Sequence, residues 1–251
     1  VSVILENAWR YYYHGSLSTA MKRFNQVWLL NPDIPDSYFG FAALTESQGN
    51  TEDALSFYKI GFEKDSANLR SIICLKIIAQ CKEQLGDTIG VVNAYESIIK
   101  LQPDHLIALK KLGYFHMELF NVMEAEKALL RAIELDPEDP VSYNNMGYLK
   151  YKKKSYKSAV RFYDNAVRLD SNHVSALIYR GSSLMHLNQF KSAIPDFEKC
   201  VALIPDNCEF RRKLGLAKLY SDDTDGACLD FNIALRLGDT FVIALIKEHC
   251  E

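Results

Sequence analysis

The side chains able to do chemistry are present but scattered. Six histidines, His14, His105, His116, His173, His186 and His249, form no HxxxH or HExxH pair, so no helix offers the paired imidazoles of a zinc site. No GxGxxG, GxxxxGK(S/T) or GxSxG run occurs, which leaves phosphate cradles and hydrolase nucleophile elbows without support. The carboxylates Asp136, Glu138 and Asp139 stand at a turn and a helix start, where capping accounts for them. The six cysteines are Cys74, Cys81, Cys200, Cys208, Cys228 and Cys250, with no CxxC. Cys74 and Cys81 fall on one predicted helix, about 10 Å apart at a rise of ~1.5 Å per residue, beyond the ~7 Å that a disulfide spans between Cα atoms. The cysteines read as free thiols in a reducing compartment, with Cys200 and Cys228 in core columns. No cofactor, metal or catalytic residue is expected.

A basic cluster, Lys150, Lys152, Lys153, Lys154, Lys157, Arg161 and Arg168, has Asp164 as its main counter-charge. Tyr148, Tyr151 and Tyr156 interleave with it, as in single-strand nucleic-acid binders. A solvated turn and helix face is the preferred reading, because Tyr156 also fits a core column. The chain as a whole has 29 Lys+Arg against 32 Asp+Glu in 251 residues, so nothing drives it globally toward nucleic acid or an anionic membrane. No apolar run reaches the roughly 18 residues of a membrane helix. With 48% hydrophobic and 24% charged residues, the composition is that of a folded protein.

What positions these residues is a repeat. In blocks of 34 the chain reads 1–34, 35–68, 72–105, 106–139, 140–173, 174–207 and 208–241, with one phase break at residues 69–71 and a last segment, 242–251. Phase 8 is always small: Ala8, Ala42, Ala79, Gly113, Gly147, Gly181 and Gly215. Phase 20 is Ala20, Ala54, Val91, Ala125, Ala159, Ala193 and Ala227, and phase 24 is Phe24, Tyr58, Tyr95, Leu129, Tyr163, Phe197 and Phe231. Two helices approach closely only where neither carries a large side chain, and the phase 24 side chain fills the space alongside. Pro32, Pro103, Pro137 and Pro205 share phase 32 and end the second helix. Asp139 before Pro140 reads as an N-cap followed by proline at the first helical position. Gly15, Gly49, Gly86, Asn188 and Asp222 share phase 15, and these residue types tolerate left-handed backbone in the turn between helices. Pro195 is expected in the first turn of its helix. Each block is thus helix A (about phases 2–14), a turn, helix B (about 18–30) and a short loop, one solenoid over residues 1–251. The apolar stretch of 242–251 is expected to close block 208–241 as a final helix.

These columns resemble the tetratricopeptide repeat. Block 140–173, with Tyr143, Met146, Gly147, Tyr156, Ala159, Tyr163 and Ala166, matches closely; block 72–105 departs most, with Gly90 and Val91 where an acidic residue and Ala are usual. The resemblance implies an all-α, right-handed superhelical solenoid of seven antiparallel helix hairpins plus a C-terminal helix. It also implies a concave groove walled mostly by A helices. The A-helix phases left over by packing hold Trp9, Tyr12 and Tyr13 in the first block, then Lys76, Gln80, Lys110, Lys111 and Tyr114. Next come Asn144, Asn145, Tyr148, Tyr151 and Lys152, then Tyr179, Met185 and His186, and last Arg212, Lys213 and Tyr220. Asn pairs with peptide backbone, Lys attracts carboxylates, and Tyr supplies area with a polar tip. The pattern of family members that clamp a C-terminal carboxylate is not met. Lys110 and Asn145 fit it, but Tyr114, Ser175 and Tyr179 stand where Asn, Lys and Arg are required.

The function expected is a non-catalytic protein-interaction module binding a peptide segment of acidic character, in the cytoplasm or, alternatively, exported with a leader removed. The peptide site is assigned to Lys76, Gln80, Lys110, Lys111, Tyr114, Asn144, Asn145, Tyr148, Tyr151, Tyr179 and Arg212. The alternatives are a recognition arm of a larger enzyme with catalysis outside these residues, and a nucleic-acid-binding array centred on the lysine block. Self-association through open solenoid ends also stays open.

Overall fold

The computed structural model describes residues 1–65 and 69–251, and every regular element among them is a helix. The A helices are α1 (Ser2–Tyr13), α3 (Pro35–Ser47), α5 (Leu69–Gln84), α7 (Leu106–Glu118), α9 (Pro140–Lys152), α11 (Val174–His186) and α13 (Cys208–Leu219). The B helices are α2 (Leu17–Leu30), α4 (Thr51–Lys64), α6 (Thr88–Leu101), α8 (Val122–Leu135), α10 (Tyr156–Leu169), α12 (Phe190–Leu203) and α14 (Thr224–Arg236). A 3-10 turn, Thr240–Val242, leads into α15 (Ile243–His249). Helices start about one residue before the expected phases. The phase break at 69–71 belongs to α5, a longer helix than its counterparts; the end of block 35–68, residues 66–68, lies outside the described residues.

The chain divides into two compact units, Val1–Asn121 and Val122–Glu251. In the first, α1 packs on α2, α3 on α4 and α5 on α6; in the second, α9 packs on α10, α11 on α12 and α13 on α14. The column residues form the cores of both. Ala8, Ala20 and Phe24 are sealed together in the first hairpin, and Ala159, Tyr163 and Ala166 in α10. In the second unit the small residue of helix A meets the ring of helix B directly: a Cβ at Gly181 would lie 2.7 Å from Phe197, and one at Gly215 2.5 Å from Phe231. Each buried ring contributes roughly 1.5–3 kcal/mol of transfer free energy.

Local rules set the helix ends. Asp139 accepts from Ser142 N at 2.8 Å with Pro140 as the first helical residue. Its column also supplies caps of other types: Asn207 accepts from Phe210 N, and His105 and His173 accept through Nδ1 from Ala108 N and Ala176 N. The turn position at phase 15 is left-handed in all seven blocks, including Phe120 (φ 59°) and Lys154 (φ 57°), which side-chain type alone did not reveal. Three ion clusters fix the second unit. Arg180 holds buried Asp196 and exposed Asp164, Arg211 and Lys218 share buried Asp230, and Lys150 and Lys153 engage Glu126. The counter-charge of the lysine block is therefore Glu126, whereas Asp164 is committed to Arg180.

Two further expectations are corrected. Pro195 is the sixth residue of α12, not a first-turn residue, because the helix begins at Phe190 and Pro195 lies inside it. The free-thiol reading holds for Cys74, Cys81, Cys200 and Cys208, but Cys228 and Cys250 are joined by a disulfide. Cys228 is only half-buried rather than core. The physical reason is the fold-back of α15 onto α14, which brings two positions 22 residues apart to a Cα separation of 5.6 Å. Val242 is fully buried against Ala227, Phe231 and Ala234, with Leu245, Ile246 and Cys250 packed beside it. Buried Cys200, by contrast, has its thiol pushed up to about 12 by burial and by nearby Asp196.

Candidate functional site

In the second unit the expected site residues of α9 and α11 come together. These A helices touch each other. The Tyr148 and Tyr179 rings meet at 5.1 Å and the Tyr151 and Tyr179 rings at 5.4 Å. Tyr151 Oη is 3.4 Å from His186 Nε2, and Tyr156 stacks on the His186 ring at 4.3 Å. Tyr163 lies beneath, parallel to Tyr179. Burial raises the phenol pKa of Tyr151 and of Tyr179, so both stay neutral hydroxyls able to donate. Lys152 Nζ sits over the Tyr148 ring at 5.4 Å, and Asn144 donates to Asn145 Oδ1 at 3.3 Å. The half-buried face thus carries amides, neutral phenols and a cation, groups that suit carboxylates and peptide carbonyls. Arg212, also in this unit, is paired with Asp239 at 2.8 Å and covers the Phe241 ring, so its charge is engaged by the turn before α15.

In the first unit the expected residues lie on α5 and α7. Lys111 is 3.5 Å from Glu83 and lies over Phe115. Tyr114, on the exposed side of α7, packs edge-on to Phe115. Lys76 is half-buried, and together with burial its charge lowers the pKa of His105. Gln80 is exposed and Lys110 half-buried.

The same unit holds a cavity of about 530 Å³ outside the peptide site expected from the sequence. Its wall takes Trp9, Tyr12 and Tyr13 from α1, Phe39, Ala43 and Glu46 from α3, Tyr58 from α4, and Ile73 and Ile77 from α5. The aromatic trio of α1 was legible as a groove face; Glu46 was not, because its block gave no charged pattern. Glu46 accepts from Tyr58 Oη at 2.9 Å.

Small-to-aromatic packing between A and B helices, left-handed turns at one fixed phase and half-buried A-helix faces define a helical-repeat protein-interaction scaffold. Tetratricopeptide repeat profiles match residues 92–140, 140–173 and 175–207, so the chain carries tetratricopeptide repeats over those residues. It is similar to a tetratricopeptide repeat protein from Parabacteroides merdae (21% identity, 98% of this chain and 96% of that one, TM-score 0.67). It is also similar to the C-terminal part of a repeat-containing protein from Cytophaga hutchinsonii (17%, 94% and 96%, TM-score 0.72). At these identities the likeness is one of fold. The BBSome complex member bbs-4 of Caenorhabditis elegans is 32% identical over 108 residues, 43% of this chain and 22% of that protein. The match therefore spans about a fifth of that relative's length. Among the described residues no helix is long and apolar enough to cross a membrane.

Proposed function

We propose that this scaffold holds an extended, carboxylate-bearing peptide segment on its A-helix faces, and that it does so without catalysis. The observation that carries the reading is the tyrosine cluster of α9 and α11. Tyr148, Tyr151 and Tyr179 present hydroxyls on a packed platform, flanked by Asn144 and Asn145 and by Lys152. Rings already held against one another lose little entropy on binding, so their contact area is retained as affinity. Lys76, Gln80, Lys110, Lys111 and Tyr114 supply a further basic face in the first unit. Lys111 shares its charge with Glu83.

An array of capped peptides varying in acidic content tests the reading. Wild-type chain is compared with Asn145→Ala/Tyr148→Ala/Lys152→Glu, and separately with Lys110→Glu, each checked by circular dichroism for unchanged helix content. Acidic peptides retained by wild type and lost with the triple variant support the site. Equal retention by both, with helicity intact, overturns it.

A further inference from the structure

We propose that the cavity between α1, α3 and α5 is an anchor for a basic side chain, lysine or arginine, of a protein partner. It lies in the first unit, and the assignment is independent of the tyrosine face of α9 and α11.

The cavity is lined mostly by rings and aliphatic groups. Trp9 and Tyr13 are near-parallel, with centroids 6.0 Å apart, and Tyr12 stands edge-on to both. Phe39, Tyr58, Ile73 and Ile77 complete an apolar wall. A lining of this kind accepts the methylene stem of a long side chain, and aromatic faces attract its charged head.

Charge decides which head. Glu46 lies in the last turn of α3, half-buried, with Tyr58 Oη donating to its Oε2. Among the described residues no lysine or arginine lies within ion-pair distance of Glu46. The buried or half-buried carboxylates Asp196, Asp230, Asp239 and Glu126 each have a cation beside them. Glu46 instead faces a cavity. Its field is felt across the wall: after burial itself, Glu46 is the main cause raising the pKa of Tyr12, Tyr58 and Cys81. The C-terminal carbonyls of α3 add partial negative charge at the same end, and Asp36 places a second carboxylate in the lining. An anion in an apolar, ring-lined recess is satisfied by a cation that brings its own apolar stem. A carboxylate, a phosphate or nucleic acid would be repelled.

The test uses the full chain with Trp28→Phe, leaving Trp9 as the fluorescent reporter inside the cavity. Capped peptides identical except for one central residue (Arg, Lys, Leu or Glu) are titrated, with spermidine and tetramethylammonium as free cations. The Arg and Lys peptides are expected to perturb Trp9 and bind, and the Leu and Glu peptides are not. Glu46→Gln keeps an acceptor for Tyr58 Oη and removes the charge, so it should weaken binding about tenfold. Tyr13→Ala, on a ring that is 77% exposed and so outside the core, should weaken it too. Asn145→Ala/Tyr148→Ala should leave it unchanged, which separates this site from the peptide face proposed above. Unaltered affinity in Glu46→Gln, or equal binding of the Glu peptide, overturns the proposal. Free cations binding as tightly as the peptides overturn the assignment to a partner's side chain.

Discussion

Gly147 and Tyr163 interlock: a Cβ built on Gly147 would stand 2.7 Å from Tyr163 Cε1, closer than side-chain atoms approach. The ring is fully buried, with the Tyr179 ring parallel to it at 6.3 Å. The small residue of helix A and the aromatic of helix B therefore form one packing unit, and the tyrosine cluster of α9 and α11 rests on it.

Gly147→Ala should destabilise the second unit. Overpacking costs about 1–3 kcal/mol, against a gain of roughly 1 kcal/mol from replacing glycine inside a helix, so a net loss of about 1 kcal/mol is expected. Thermal or urea unfolding measures it. A double-mutant cycle with Tyr163→Leu should recover part of the loss, since the pair is in direct contact.

Lys154 occupies a left-handed turn position, with φ 57°, where three other blocks carry glycine. A lysine pays about 1 kcal/mol for that backbone, and its side chain is exposed. Lys154→Gly should raise stability by several tenths of a kcal/mol, although glycine also gains entropy in the unfolded chain. An unchanged or lowered melting temperature would show that the turn carries no strain.

His105 caps α7 by accepting from Ala108 N at 3.1 Å, which requires an unprotonated Nδ1. Burial, then the Lys76 charge, lowers its pKa below the ordinary 6.5. A histidine depressed in the folded state contributes stability that is fully present above its unfolded pKa. That contribution is lost as pH falls through the depressed folded value. Between about pH 7.5 and pH 5 the amide of Ala108 should lose hydrogen-exchange protection. His105→Asn should remove that dependence while keeping the cap, as Asn207 does for α13.

The Cys228–Cys250 disulfide closes a 22-residue separation, for which chain entropy gives roughly 3 kcal/mol. Reduction, or Cys250→Ser, should lower the melting temperature of the second unit. The buried Val242 and its neighbours should keep α15 on α14 at room temperature, and loss of its helicity on reduction alone would contradict this packing.

The sequence by itself determined the repeat, the helix pairs and their cores. Those features depend on side-chain size and backbone freedom at fixed phases, and the columns at 8, 15, 20, 24 and 32 state both locally. Even the misplaced Pro195 and the unrecognised histidine caps are shifts within that local grammar. Tertiary structure alone decided the features that depend on which distant residues meet. Cys228 finds Cys250 only because α15 folds back, and Glu126 rather than Asp164 neutralises Lys150 and Lys153. Arg212, which falls on a groove phase, is drawn to Asp239. Glu46 becomes an anion without a cation only when α1, α3, α4 and α5 close a cavity around it. A periodic pattern reports which face a residue takes, whereas charge pairing and cavities arise between elements whose separation in the chain no local rule encodes.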